Sequence, residues 1–178
     1  MLHVLTQWSN FYMLTGSAAG ALTGLMFVVI TLVGGERKFQ TAPTGIATFS
    51  TPTVAHFCAA LFVSAMLSAP WHRLAPPAVL LGLAGFAGVC YILYVMRQTR
   101  RLATYKADIE DWTWFTALPM LAYAAILGGA IALPLAAAGA LYALAGGALL
   151  LIFIGIRNAW DVVTYIAIQG PPGPADTD

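Results

Sequence analysis

Charge is what this sequence has least of. Asp, Glu, Lys and Arg make up 8% of its 178 residues, against about 25% in a soluble domain. So few charges cannot furnish a water-facing surface. With 60% hydrophobic residues and a mean hydropathy of +0.82, lipid is the expected solvent for much of the chain. The net charge of +1 excludes a nucleic-acid footprint. Cysteine is nearly as scarce. Cys58 and Cys90 lie inside apolar runs, form no CxxC motif or disulfide framework, and are expected as two buried small hydrophobes.

Other absences narrow the class further. The first ten residues hold no Lys or Arg, and the apolar run continues to Val33, too long for the core of a cleavable signal peptide. Sustained two-residue alternation is missing, so no strand pattern competes with helix. No G-x-S-x-G, HExxH, P-loop or dinucleotide-binding glycine pattern occurs. No catalytic residue is expected, and the chain is read as no enzyme. Only His56 among the three histidines falls inside an apolar segment. A bis-His haem or a zinc site needs more ligands than that, so no cofactor and no metal are expected.

What is present is a succession of apolar segments. A membrane core of about 30 Å takes about 20 helical residues at about 1.5 Å each. Spans are expected at about 11–33, 52–69, 77–96, 115–135 and 140–168. Ser9 or Asn10 suits the start of the first, and Pro52 the first turn of the second. The last two spans are separated by argument. Trp112 to Ile156 carries no charge, and as one helix it would be about 68 Å long, more than twice the hydrocarbon thickness. Pro134 and Gly139 mark the cheapest place to fold back, with the hairpin near Ala136–Gly139. The expected fold is an all-α, five-span transmembrane bundle over residues 1–169, followed by a flexible cytoplasmic tail over 170–178.

Orientation follows from Lys and Arg. The one–two and three–four loops hold Arg37, Lys38, Arg97, Arg100, Arg101 and Lys106, and the opposite side holds Arg73. Six against one puts those loops and the C-terminus in the cytoplasm, the N-terminus outside. The aromatic belt agrees, with Trp8, Trp71 and Tyr142 at the outer boundary and Trp112, Trp114 and Trp160 at the inner one.

Three features stand out within the spans. Gly16, Gly20 and Gly24 recur every four residues and share one helix face. They form a groove that another helix of this chain, or a second copy, can approach closely. Arg157 and Asp161 are four apart and suit an ion pair near the inner boundary, with Asn158 extending the polar stripe. His56 lies near the same boundary, where it is expected to bond between helices, the sharper version being a partner in Asp161 or Glu36 and titration near neutral pH. His56, Arg157, Asn158 and Asp161 thus form one candidate polar cluster on the cytoplasmic side.

Three stretches carry a resemblance: Phe11-Tyr12 through Gly16-Ser17-Ala18-Ala19 to Gly24-Leu25-Met26-Phe27-Val28, then Thr51-Pro52-Thr53-Val54-Ala55-His56-Phe57, then Gly155-Ile156-Arg157-Asn158-Ala159-Trp160-Asp161. Together they resemble an uncharacterised family of small bacterial integral-membrane proteins. The resemblance implies a multi-pass protein of the bacterial inner membrane and brings no activity with it. Two functional expectations follow. One is an oligomeric pore or transport-related protein for ions or small solutes. The other is a non-catalytic accessory or scaffold subunit of a larger membrane complex. Expected partners are membrane lipids and either itself or such a complex, with no nucleic acid.

Overall fold

The computed structural model describes residues 2–34, 43–101 and 112–168, with side chains over 4–31, 52–97, 112–161, 163 and 164. No strand occurs among the described residues. Helix α1 is Leu2–Gly34, α2 is Pro43–Ser68, α3 is Ala75–Arg101, α4 is Leu118–Ala132 and α5 is Ala137–Ile168. A π-helical turn, Thr113–Ala117, leads into α4. Among the described residues four helices are long and apolar enough to cross a membrane, over Val4–Thr31, Ala75–Arg97, Thr113–Ala132 and Ala137–Asp161. In α2 the stretch Pro52–Ser68 is apolar as well, but shorter.

The boundaries differ from those expected, each for a local reason. Helix α1 begins nine residues early, because nothing between Leu2 and Asn10 breaks it. Ser9 donates to the Thr6 carbonyl within the helix and is no cap. Helix α2 begins at Pro43, so Pro52 falls inside it instead of opening it. Helix α3 opens with Pro76 and Pro77 in its first turn, where the missing N–H groups would have no helical partner anyway. The fourth and fifth helices part at Leu133–Ala136, a few residues before the expected hairpin. Pro134 has no N–H to continue the ladder. The chain closes the turn there through Leu135 N to Ala132 O at 2.9 Å and Ala136 N to Ala132 O at 2.8 Å. The tail over 170–178 lies outside the described residues.

The π-turn has its own cause. Pro119 sits in the first turn of α4, and a proline ring crowds the carbonyl four residues earlier, here that of Phe115. Widening the turn over Thr113–Ala117 relieves that crowding without ending the helix.

The helices are ordered α1, α2, α5, α4, α3 across the bundle. Central α5 packs against α2 on one flank and α4 on the other, and touches α1 near its start. More than half of its apolar span is buried, against about a fifth for α1 and α3. Leu141, Leu144, Leu151 and Ile154 of α5 have no exposure at all.

Close glycine contacts fix the register. A Cβ on Gly16 would meet Ser64 of α2 at 3.0 Å. One on Gly85 would meet the Leu127 backbone nitrogen of α4 at 2.8 Å, and one on Gly147 the Ala122 carbonyl oxygen at 2.9 Å. Gly88 lies under the Tyr123 ring and Gly155 under the Phe57 ring. The pairs 82 with 130, 85 with 127 and 88 with 123 make α3 and α4 antiparallel, and α4 and α5 form an antiparallel hairpin in the same way.

Candidate functional site

The bundle has two unlike ends. At the first, Trp8 meets Tyr142 edge to face with ring centroids 4.7 Å apart. One turn further in, the Tyr12 hydroxyl donates to the Leu141 carbonyl at 2.9 Å. Tyr12 is fully buried, so this bond supplies the partner that its hydroxyl needs away from water. It also ties α1 across to α5.

The second end holds most of the buried polar groups. His56 Nδ1 lies 3.0 Å from the Tyr123 hydroxyl, with both residues buried. Helix side chains lean towards the N-terminus of their own helix. Tyr123 therefore reaches along α4 towards the second end and meets His56 on α2. Gly88 of α3 makes room for its ring.

On α5, Arg157 pairs with Asp161 one turn on, both side chains half-buried. The Arg157 guanidinium also stands 5.7 Å from the centroid of the Trp114 ring in the π-turn, a cation–π distance. The π-turn therefore brings an aromatic face over the end of α5. Thr164 closes the stripe by donating to the Trp160 carbonyl at 2.9 Å.

Asn158 is different. It is 2% exposed, and among the described residues neither its amide nitrogen nor its amide oxygen has a hydrogen-bond partner. It lies on the buried face of α5 with Leu151 and Gly155. Since Gly155 packs on Phe57, Asn158 falls about one turn further along the same seam, level with buried Thr53 of α2.

The expected cluster is thus divided. Arg157 and Asp161 are joined, and Asn158 lies buried beside them. His56 bonds between helices, as expected, but not to Asp161. Its partner is Tyr123, Asp161 is held by Arg157, and Glu36 lies outside the described residues. Cys58 and Cys90 are also not buried: both are free and exposed on the outside of the bundle. Their helices turn other faces inward, Phe57 and Ala60 in α2 and Ile92 in α3.

Among the α1 glycines, Gly16 is closely approached by Ser64, and Gly20 meets only the tip of Leu61 at 4.0 Å. Gly24 has nothing within reach. Among the described residues, no group of three or more His, Cys, Asp or Glu could hold a metal ion.

Tyr12, Tyr123 and the π-turn escaped sequence reasoning. The signal for Tyr123 was available. A tyrosine inside an uncharged 45-residue stretch must find a partner for its hydroxyl, and His56 is the nearest ionisable candidate of matching depth. No family model matches the chain, and neither a curated protein nor a solved structure does.

Proposed function

We propose that the chain is a multi-pass protein of the bacterial inner membrane with five spans, its N-terminus outside and its C-terminus in the cytoplasm. In this reading copies of it associate to form a path for ions or small solutes. Helix α2 supports the fifth span, since its 26 residues reach about 39 Å, more than the hydrocarbon core. The six-to-one loop charges support the orientation, because Arg73 is separated from the others by a helix length.

One observation carries the transport reading. The buried His56–Tyr123 bond, the Arg157–Asp161 pair and the unpartnered Asn158 amide all lie in the same half of the bundle. Polar groups within a membrane are expensive and tend to serve a path or a site. Leu141, Leu144, Leu151 and Ile154 fill the middle of one chain, so the path belongs between copies. There the half-buried Arg157–Asp161 pair is the part of this set that reaches the surface, and the buried His56, Tyr123 and Asn158 stand behind it. Helix α1 stands at the edge of the row, with Gly24 open as part of a candidate seam.

The same edge position favours the second reading, an accessory or scaffold subunit, in which α1 meets a different membrane protein. Purification separates the two. A symmetric homo-oligomer supports the path, and recovery with one larger partner at fixed stoichiometry supports the scaffold. Flux into proteoliposomes that falls to background in Asp161→Ala would support the path. An intact oligomer passing none of the ions tested would count against it.

A further inference from the structure

We propose that the Asn158 carboxamide anchors a buried binding site for a small uncharged hydrogen-bonding molecule, water being the smallest such guest. The inference rests on the chain being a membrane-embedded bundle and does not depend on flux. A carboxamide offers two donors and an acceptor with two lone pairs. At 2% exposure none of these is met by the described residues. In a bilayer there is no bulk water to meet them either, and an unsatisfied polar group is among the costliest features a spanning helix can carry.

Ser64 is the other buried orphan, but it makes a weaker case. Its single hydroxyl can turn onto a carbonyl of its own helix. Asn158 cannot be satisfied so simply, because one bond to its own helix would still leave the opposite side of the amide bare.

The surroundings define the guest. The two charges next to Asn158 on α5 cancel, since Arg157 is paired with Asp161 and stacked over Trp114. His56 is engaged with Tyr123. The site therefore presents dipoles and no net charge, and selects a neutral molecule able both to donate and to accept. Buried Thr53 on α2 lies at the same depth, and the Phe57 ring over Gly155 closes the seam towards the bundle centre. Arg157 and Asp161 are half-buried at the end of the apolar span, so the boundary of the membrane is within a turn of the amide. That gives the guest a short way in and is compatible with the two to four bonds a buried water makes.

The test uses the full chain in nanodiscs. A high-resolution map should show density within hydrogen-bond distance of both Oδ1 and Nδ2 of Asn158. A compact peak identifies water. A larger one, with a matching added mass in native mass spectrometry, identifies a small neutral solute. Asn158→Leu keeps the shape and removes the bonding, and should lower the melting temperature by about 3–6 °C if the amide is satisfied by a guest. An empty site in the wild-type map overturns the proposal, whatever the variant does. So does a variant that melts at or above the wild type, because an orphan amide is improved by an apolar replacement. Should Asn158→Leu fail to fold, the wild-type map alone decides.

Discussion

The glycines of α1 and those of α3, α4 and α5 look equally capable of close packing in the sequence, and the α1 set is the more regular. In the structure the order is reversed. The even spacing of Gly16, Gly20 and Gly24 leads to one close approach, one loose contact and one open face. Gly85, the middle of a set spaced every three residues, and Gly147, which belongs to no repeat of three or four, each face the backbone of a neighbouring helix at less than 3 Å from where a Cβ would stand. Periodicity tells which residues share a face. It does not tell what stands opposite that face, and the opposite surface sets the cost of adding a methyl group.

That comparison is broken most forcefully at Gly85 and Gly147. Backbone atoms cannot swing aside as a flexible side chain can. Gly147→Leu and Gly85→Leu should each prevent assembly of the bundle, read as loss of monodisperse protein in detergent. The milder Gly147→Ala should cost about 1–3 kcal/mol, as overpacked cores do, measured by thermal melting. An alanine variant that melts with the wild type would mean that α4 and α5 can separate freely, and the contrast with α1 would fall.

Tyr123→Phe is next. It removes the hydroxyl that His56 meets at 3.0 Å and leaves a buried imidazole nitrogen without its partner. The expected loss is about 1–3 kcal/mol. The double variant Tyr123→Phe with His56→Leu should recover part of it, because it leaves neither group stranded. Independent, additive losses would show that the two side chains are not coupled.

These cases also mark what the residues revealed before the fold was known. The helical class and the fold-back near Pro134 were legible, because hydrophobic length, charge placement and proline act locally. The grouping of Trp8 with Tyr142 was legible for the same reason, as both fall at span ends. The central place of α5 was not. Its uncharged run resembles that of α4, and both helices have neighbours on two flanks. What distinguishes α5 is its added contact with α1 and its larger buried share. That His56 bonds between helices was legible, and the structure shows it. The sharper version with Asp161 failed because four-residue spacing had already given Asp161 to Arg157. The inward faces of α2 and α3 were equally hidden. With hydrophobic residues on all sides, neither helix has a polar stripe to say that Cys58 and Cys90 point outward.

Gly24 gives the smallest expected effect and the sharpest use of the comparison. Among the described residues nothing lies within 4 Å of a Cβ placed there, so Gly24→Leu should leave the melting of an isolated chain within about 0.5 kcal/mol of the wild type. Gly20→Leu should come next, since the Leu61 tip 4.0 Å away is the end of a flexible side chain. If copies associate through α1, the same substitutions fill the space that a second helix would use. Native mass spectrometry should then show a smaller particle while the melting of the chain itself stays put. A Gly24→Leu protein that keeps both its mass and its melting temperature would free that face for lipid and move any association to another helix. A fall in melting temperature without a change in mass would place a segment outside the described residues against α1.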